Sequence, residues 1–323
     1  MSLPKVFISR KIPEKARTLI ASLCDAVLWN KDEPPLREEY LQKVKGINGL
    51  FCLLTDKIDA ELLDAAGPDL KVVSTMSVGY DHIDVKECAK RNILVGYTPG
   101  ILTKATAELT VALLLATSRR LKEGMQAVEN GKWGTWKPMW MCGQGLDEAT
   151  VGIVGMGRIG HTVAHCLKPF GVAKFLYSGR TQKPEAEAEL NAEFVDLDQL
   201  LSQSDFVIAC CALTPQTAGM FNASAFQKMK KTAVFVNSSR GNIVNQEDLL
   251  VALESGEIGA AGLDVTVPEP LPTDSPLLKL SNCVVLPHIG SATFDTREAM
   301  AVLAAQNLIA GLKGEKLPCQ IHS

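Results

Sequence analysis

Short apolar runs of the β type alternate with helix-like segments in the first part of the chain. The strand-like runs are KVFIS, AVLW, GLFCLL, LKVVST and ILVGYT, at residues 5–9, 26–29, 49–54, 70–75 and 93–98. The segments between them repeat apolar residues at helical spacing, as in PEKARTLIASL at residues 13–23. Strands that alternate with helices are typical of a parallel sheet that helices cover on both faces. The pattern therefore predicts an α/β domain.

A second series of the same kind begins near residue 150. Its strand-like runs are TVGIVG, KFLYS, FVIACCAL, AVFVNSS, AAGLDV and CVVLPH, at residues 150–155, 174–178, 206–213, 233–239, 260–265 and 283–288. A helix predicted from Thr103 to about Asn130 separates the two series, and its dense apolar residues indicate burial. A last amphipathic helix, at about 293–312, is expected to return to the first sheet. We predict two doubly wound domains, one of residues 1–102 and 290–323 and one of residues 103–289.

The segment GMGRIG at residues 155–160 follows the apolar strand of residues 151–154 and opens a helix. The spacing G-x-G-x-x-G is a weak signal alone, but this strand–turn–helix setting is the one in which it binds dinucleotides. Gly155 permits the tight turn, Gly157 lets the backbone approach a pyrophosphate, and Gly160 lets helix and strand pack closely. The helix N-terminus then presents free N–H groups and a positive dipole to the phosphates. We therefore predict a dinucleotide site.

The next strand ends in FLYSGR, residues 175–180, where an enzyme that uses NAD would usually carry Asp or Glu. That carboxylate would bind ribose hydroxyls and would repel a 2′-phosphate. Ser178 removes the repulsion, and Arg180 offers a planar fork of donors that suits a phosphate, with Lys183 close behind. The segment favours NADP(H) over NAD(H), and the alternative is that Arg180 is only a solvated loop cation.

Composition and charge exclude several classes of protein. At 323 residues, with 46% hydrophobic and 21% charged residues, the chain is typical of a globular protein of about two domains. A formal net charge of −3 argues against binding to nucleic acid. No apolar run approaches the ~18 residues of a membrane span, and the N-terminus lacks a signal-peptide core. Nine scattered cysteines without a C-x-x-C pair indicate reduced thiols, so we expect a cytoplasmic protein.

Three polar residues follow predicted strands, at the edge where doubly wound sheets place their sites. Arg240 comes directly after the run 233–239, Glu269 lies in a proline-flanked loop after 260–265, and His288 ends the last run. These residue types supply a fixed cation, an orienting carboxylate and a proton donor. We predict that the three residues form a catalytic set.

Five segments of the chain together resemble the D-isomer-specific 2-hydroxyacid dehydrogenase family. They are LKVVSTMSVGYDHID, TVGIVGMGRIG, AVFVNSSRGNIVNQEDL, AAGLDVTVPEPLP and NCVVLPHIGSAT, which begin at residues 70, 150, 233, 260 and 282. The likeness covers nearly the whole chain, and as a set these segments are highly specific. Within the family the chain resembles the animal branch that reduces glyoxylate and hydroxypyruvate.

The resemblance implies a flavodoxin-like substrate domain, residues 1–102 and 290–323, and a Rossmann nucleotide-binding domain, residues 103–289. It implies NADPH-dependent reduction of glyoxylate to glycolate and of hydroxypyruvate to D-glycerate, with His288 as proton donor. The implied substrate contacts are Val78, Gly79, Arg240, His288 and Ser291. The implied cofactor contacts are Gly157, Arg158, Ile159, Arg180, Thr181, Gln182, Lys183, Ala212, Ser238, Asp264 and Gly290. The glycine motif and the end of the next strand add Gly155, Gly160 and Ser178 to the predicted cofactor contacts.

Two other functions stay open at this point. The chain could act on another 2-oxo acid, such as phosphoglycerate or a bulky 2-oxo acid. It could instead be a binding module, because some relatives of the family are dinucleotide-sensing transcriptional corepressors. The intact catalytic set and the absence of a visible disordered tail favour an enzyme.

The segment GKWGTWKPMWMCGQG at residues 131–145 carries Trp133, Trp136 and Trp140 among glycines. Large aromatic residues on a loop either fill a core or contact a partner. The first alternative is core packing. The second is a homodimer through residues 103–145, in which Trp136 would reach the substrate of the neighbouring subunit.

The remaining histidines are weighed as follows. His161 and His165 lie four residues apart on the helix after the glycine loop, but a metal site would need a third ligand and an exposed face. HTVAH also lacks the glutamate of a catalytic zinc motif, so we predict no metal site. His82 in GYDHID is expected to be structural, with a role beside the substrate as the alternative.

Overall fold

The computed structural model describes residues 2–322, which form two compact units. One unit contains the chain up to Leu102 and the segment from Ala292 onward, and the other is Thr103–Ser291, which ends at 291 rather than at the predicted 289. The strands are β1 Lys5–Ile8, β2 Asp25–Leu28, β3 Gly49–Cys52, β4 Val72–Thr75, β5 Leu94–Gly96, β6 Thr150–Val154, β7 Lys174–Ser178, β8 Glu193–Phe194, β9 Phe206–Ala209, β10 Val234–Asn237, β11 Ala260–Leu263 and β12 Cys283–Val285. The α-helices are α1 Glu14–Ala21, α2 Arg37–Lys43, α3 Ala60–Ala66, α4 Val85–Lys90, α5 Thr103–Ser118, α6 Leu121–Glu129, α7 Arg158–Leu167, α8 Pro184–Leu190, α9 Leu197–Gln203, α10 Ala223–Lys228, α11 Gln246–Glu254 and α12 Phe294–Lys313.

The first unit is built on a five-stranded parallel sheet of order β2-β1-β3-β4-β5. This is the flavodoxin-like order, with its switch point between β1 and β3. Helix α12 packs on β3 and β4 so closely that a Cβ on Gly311 would lie 2.7 Å from Val72 Cβ. The last helix therefore returns to the first sheet, as its amphipathic pattern suggested.

The second unit is built on a seven-stranded parallel sheet of order β12-β11-β10-β9-β6-β7-β8. Read from β8 to β12, this order matches the order 3-2-1-4-5-6 of dinucleotide-binding folds, with β12 as a seventh strand at the edge. The chain order reverses between β6 and β9. Sheets of this kind bind ligands in the crevice at the carboxyl ends of the strands beside such a reversal.

Both faces of the second sheet are buried, because neighbouring residues of its central strands belong to different apolar clusters. In β9, Phe206 and Ile208 pack with residues of α5, α7 and α8, whereas Val207 and Ala209 pack with residues of α9, α10 and α11. A strand covered on both sides explains a continuous apolar run such as FVIACCAL. The predicted doubly wound α/β class is confirmed.

The helix predicted from Thr103 to about Asn130 is wrong in one respect, because the chain forms two helices there, α5 and α6. Arg120 between them has a φ of 56°, in the left-handed region where a right-handed helix cannot continue. The Gln144 N–H donates to the Ser118 carbonyl at 3.0 Å and so caps α5. A side chain on Gly143 would collide with that carbonyl, so glycine is required for the approach.

The tryptophan segment, residues 131–145, is exposed in the described chain. Trp133, Trp136 and Met139 are 68%, 81% and 82% exposed, and Trp140 is 38% exposed. Core packing within the chain is therefore wrong as an account of this segment.

Composition also predicted free thiols and no membrane span. All nine cysteines fall within the described residues and are free, four of them buried, but Cys142 is exposed. Across residues 2–322, no helix is at once long and apolar enough to cross a membrane.

Candidate active site

The turn between β6 and α7 has the shape that the glycine spacing predicts. Gly155 has a φ of 99°, and a Cβ there would lie 2.7 Å from the backbone of Cys211. A Cβ on Gly160 would collide with the Gly155 carbonyl. A Cβ on Gly157 would meet nothing within 4 Å, so protein packing does not account for this glycine. Open space above a helix N-terminus fits a dinucleotide pyrophosphate, which Gly157, Arg158 and Ile159 would hold through backbone N–H groups.

The end of β7 lies beside this turn, since Ser178 pairs with Val154 and its carbonyl accepts the Gly155 N–H at 2.8 Å. Ser178 is half-buried, whereas Arg180, Thr181 and Gln182 are exposed. Residues 178–183 contain no carboxylate. The cationic loop, residues 179–183, thus begins beside the glycine turn in space. This position suits the binding of a phosphate on the adenosine ribose.

The hydroxyl of Tyr177 fixes the far end of this loop. It accepts the Lys183 N–H at 2.7 Å and donates to Glu187 on α8 at 2.9 Å. Glu187 also accepts a hydrogen bond from the Gln182 side chain at 2.7 Å. The Glu187 carboxylate is therefore bound by two neutral donors, the Tyr177 hydroxyl and the Gln182 amide.

His288 and Glu269 meet on loops that follow the adjacent strands β12 and β11. His288 Nδ1 lies 2.9 Å from Glu269 Oε2, and the other carboxylate oxygen accepts the Thr266 N–H at 3.1 Å. Burial disfavours the charge on Glu269, but the hydrogen bond and charge of His288, the Thr266 N–H and the charge of Arg240 outweigh it, so the pKa of Glu269 is lowered. An ionised carboxylate at Nδ1 leaves Nε2 as the ring atom available for proton transfer.

Asp264 holds the backbone of the histidine loop. It directly follows β11 and is 1% exposed, and its two carboxylate oxygens accept the N–H groups of Ile289 and Gly290, each at 2.8 Å. Its backbone carbonyl accepts the His288 N–H at 2.9 Å. Burial raises the pKa of Asp264, against the lowering effect of these two N–H donors. These contacts accompany a φ of 53° at His288, in the left-handed region that residues other than glycine seldom adopt.

The turn that carries Arg240 is held by Asn237, the last residue of β10. Asn237 is fully buried; its amide donates to the Arg240 carbonyl at 2.8 Å and accepts the Ser239 N–H at 3.0 Å. One guanidinium nitrogen of Arg240 donates to the Ser239 carbonyl at 2.8 Å. Arg240 follows β10, the neighbour of β11, so the three predicted catalytic residues come from three consecutive strands of the sheet.

Other predicted contacts lie along the same edge of the sheet. Ser238 Oγ lies 2.7 Å from Thr110 Oγ1 on α5, and Thr110 gives its own hydrogen to the Thr106 carbonyl, so Ser238 is the donor. The Ala212 carbonyl, after β9, accepts the Thr217 hydroxyl at 2.7 Å. Ser291 is half-buried at the end of the second unit.

Val78 and Gly79 belong to the first unit, after β4. The Ser77 hydroxyl donates to the Gly79 carbonyl at 2.7 Å and lies 2.8 Å from Thr75 Oγ1, which in turn is 3.0 Å from His82 Nε2. This chain of hydrogen bonds fixes the loop from inside. His82 takes part in this network through its Nε2 atom.

Sequence reasoning missed three residues that build the site: Asn237, Thr266 and Thr110. Each one orients a predicted residue by a hydrogen bond. A buried polar residue at the last position of an apolar strand, as with Asn237, is a signal that could have been used.

Comparison with known proteins agrees with this geometry. The family model described as the NAD binding domain of D-isomer specific 2-hydroxyacid dehydrogenases matches residues 111–290. The glyoxylate reductase/hydroxypyruvate reductase of Homo sapiens is 57% identical over 321 residues, which cover 99% of this chain and 98% of that protein. A crystal structure of a protein from Thermus thermophilus has a TM-score of 0.91 at 41% identity and covers 98% of this chain and 100% of its own. The NADPH-dependent glyoxylate/hydroxypyruvate reductase of Sinorhizobium meliloti, solved with NADP and malonate, has a TM-score of 0.84 at 29% identity over 99% of this chain and 97% of its own.

Proposed function

Because the chain belongs to the D-isomer-specific 2-hydroxyacid dehydrogenase family, we propose that it reduces glyoxylate to glycolate and hydroxypyruvate to D-glycerate with NADPH. The observation that carries the proposal is the hydrogen bond between His288 and Glu269. These two residues follow β12 and β11, and Arg240 follows β10, the next strand of the same sheet. The names of the human and Sinorhizobium relatives support the two substrates.

His288 is the proposed proton donor. With Nδ1 bound to Glu269, the ring presents Nε2 to the substrate, and its proton passes to the carbonyl oxygen as that oxygen gains negative charge. Arg240 polarises the same oxygen and binds the substrate carboxylate, a task that suits a guanidinium. When bound, the cofactor supplies the hydride that reduces the carbonyl carbon. General acid catalysis of this kind is typically worth ~10²–10⁴ in rate.

NADP(H) is the proposed cofactor. The support is local: residues 178–183 lack a carboxylate, and Arg180 lies two residues after the end of β7, the strand that borders the glycine turn. Charge-assisted hydrogen bonds to a phosphate are roughly twice as strong as neutral ones, so an added 2′-phosphate gives Arg180 something to bind that NADH lacks.

Val78 and Gly79 are the proposed backbone contacts of the substrate carboxylate. The support is the rigidity of their loop, which the Ser77 hydroxyl ties to Gly79 and to Thr75. Fixed backbone donors can bind an anion without the entropy loss of a long side chain. Ser77→Ala is expected to raise KM for hydroxypyruvate more than it lowers kcat.

The test is the initial rate with hydroxypyruvate and with glyoxylate, each at matched concentrations of NADPH and NADH. Faster turnover with NADPH on either substrate supports the proposal. Turnover only with NADH would contradict the cofactor assignment, and turnover only with a larger 2-oxo acid would contradict the substrate assignment. No turnover with any 2-oxo acid would leave a dinucleotide-binding module as the better account.

A homodimer through residues 103–145 is proposed as the assembly, with Trp136 as a substrate contact in the neighbouring subunit. The support is the exposure of Trp133, Trp136 and Met139, which leaves a large apolar patch in water. Trp136→Ser should raise the dissociation constant of the dimer, measured by analytical ultracentrifugation. Leu36→Ser, at an exposed apolar residue outside the segment, is the matched control. A Trp136 variant that assembles and discriminates among substrates like the parent would contradict this proposal.

Cytoplasm is the proposed compartment. The support is the set of nine free thiols, one of them exposed, which suits a reducing environment.

A further inference from the structure

His161, His165 and Glu189 form a cluster on the second unit that takes no part in the chemistry above. The two histidines lie four residues apart on α7, so their side chains leave the same face of the helix. Glu189 reaches them from α8, and its Oε2 lies 2.9 Å from His165 Nε2 and 3.3 Å from His161 Nε2. We propose that this His-His-Glu cluster is a binding site for a divalent transition metal ion, of which Zn²⁺ is the representative.

The distances are close to those of a metal site. With Zn–N bonds of about 2.0–2.1 Å and Zn–O bonds of about 2.0–2.2 Å, ligand atoms around a tetrahedral ion lie roughly 3.3–3.5 Å apart. One ligand atom from each of the three residues lies within 4.8 Å of the others, so small rotations of the side chains suffice to close the site. The rings are tilted by 65° with their centroids 4.7 Å apart, so they are not stacked in parallel.

An independent observation points to a missing ligand. His161 Nε2 is shielded from solvent and, among residues 2–322, makes no hydrogen bond, although the Glu189 oxygen is near. Buried polar atoms in native proteins nearly always have a partner. A metal ion between the two imidazoles and the carboxylate would supply one.

The charges and ligand types suit a borderline ion rather than calcium or magnesium. Imidazole nitrogen favours zinc, copper and nickel, whereas calcium and magnesium prefer oxygen alone. The Glu189 carboxylate offers an anionic oxygen ligand beside the two imidazoles. Lys168 donates to the backbone carbonyl of Glu189 at 2.8 Å and does not occupy that carboxylate. Three protein ligands at an exposed site leave the fourth position to water.

The site has a structural consequence, because its ligands come from two helices. A bound ion would link α7, which begins at the glycine turn, to α8, which follows the cationic loop of residues 179–183. Since the folded chain brings the three ligands together, the metal should stabilise the folded state in a concentration-dependent way. The sequence alone predicted no metal here because Glu189 lies on a different helix from the histidine pair.

The experiment is isothermal titration of Zn²⁺ into chelator-treated, full-length protein, with thermal melting at each zinc concentration. We expect one ion per chain, with a dissociation constant in the micromolar range, and a Tm that rises with zinc. His165→Gln and Glu189→Gln should each weaken binding at least tenfold and abolish the rise in Tm. Melting without zinc checks that each variant folds.

Two control variants test whether zinc binds at this cluster or at other surface carboxylates and thiols. Glu193→Gln changes a surface carboxylate that pairs with Lys174 outside the cluster and should bind zinc as the parent does. Cys142→Ser removes the exposed thiol and should also leave binding unchanged. Zinc binding that survives in His165→Gln and Glu189→Gln, or that disappears in Cys142→Ser, would overturn the proposal. X-ray absorption at the zinc edge should show two imidazoles in the first shell, and sulfur there would equally overturn it.

Discussion

The loop after β12 and the loop after β7 lie at the carboxyl end of the same sheet, yet they are built very differently. Asp264 binds the backbone of His288, Ile289 and Gly290 in succession, and the histidine is held in a left-handed conformation. The loop at 179–182 is exposed, and its anchor is the Tyr177 hydroxyl at its far end. In the loop after β12, three successive residues are held by hydrogen bonds to Asp264. The loop after β7 is held at its two ends, through the Ser178 carbonyl and the Lys183 N–H.

The difference reflects the physics of the two tasks. Proton transfer needs the donor atom at hydrogen-bond distance from its target, about 2.6–3.2 Å, so the histidine loop must be positioned before the substrate arrives. A guanidinium attracts a phosphate over a longer distance and can reorient to meet it, so an exposed loop suffices. We therefore expect substitutions after β12 to affect kcat, and substitutions after β7 to affect cofactor binding.

Replacing the proton donor should give the largest effect. In His288→Asn we expect kcat with hydroxypyruvate to fall by ~10²–10⁴, the range that general acid catalysis supplies, with little change in NADPH affinity. Steady-state rates and NADPH fluorescence titration measure the two quantities. His322→Asn, at an exposed histidine outside the site, is the control. A variant that keeps near-normal turnover would remove His288 from the mechanism.

Replacing the buried carboxylate tests whether the loop must be held. Asp264→Asn keeps the size of the side chain, but its NH₂ group faces one of the two backbone N–H donors. A buried donor without a partner costs about 1–3 kcal/mol, so we expect a lower Tm and a kcat reduced by about tenfold or more. Asp274→Asn, at an exposed aspartate of the same unit, is the matched change. If kcat fell without any loss of Tm, the contact would serve the cofactor or substrate rather than the loop.

Replacing Arg180, the cation of the loop after β7, should affect the affinity for NADPH and not the affinity for NADH. Arg180→Ala is expected to raise the Kd for NADPH about tenfold and to leave the Kd for NADH unchanged, because an exposed charged hydrogen bond lies at the low end of about 1.5–3 kcal/mol. Lys174→Ala, at the opposite end of the same strand, controls for loss of a cation. An equal rise in the Kd values for NADPH and NADH would mean that Arg180 does not bind the 2′-phosphate.

The smallest effect concerns pH. The pKa of Glu269 is lower in the folded protein than its ordinary value of 4.5, so its ionised form adds stability above pH 4.5 that is lost as the pH falls through the folded pKa. The Tm difference between the parent and Glu269→Gln should therefore be constant near neutral pH and shrink in acid. The contribution of Asp264 to stability changes with pH in the opposite direction. Burial raises its pKa in the folded protein, so its contribution is lost as the pH rises through that pKa. A Tm difference for Glu269→Gln that is the same from neutral to acid pH would argue that the ion pair with His288 adds nothing.

Much of the fold follows from periodicity, because a strand covered on both faces leaves a continuous apolar run and each such run forms a strand here. The break at Arg120 could not be predicted, since residues 119–121 contain no glycine or proline and the contact of Gln144 with Ser118 at the end of α5 is tertiary. Arg240, Glu269 and His288 could be proposed because each follows a strand. Asn237 could have been noticed as a buried polar residue that ends an apolar strand. The support that Asp264 gives could not be predicted, because it binds backbone groups 25 and 26 residues further along the chain.

The empty space at Gly157 bears on how variants of this chain would be scored in a mutational screen. An alanine there meets no atom within 4 Å and needs no unusual backbone angle, so the chain should fold, accumulate and melt like the parent. The added methyl group would nevertheless lie where a pyrophosphate must approach the helix. An abundance assay would score such a variant like the parent, whereas an assay of cofactor binding or turnover should detect the loss.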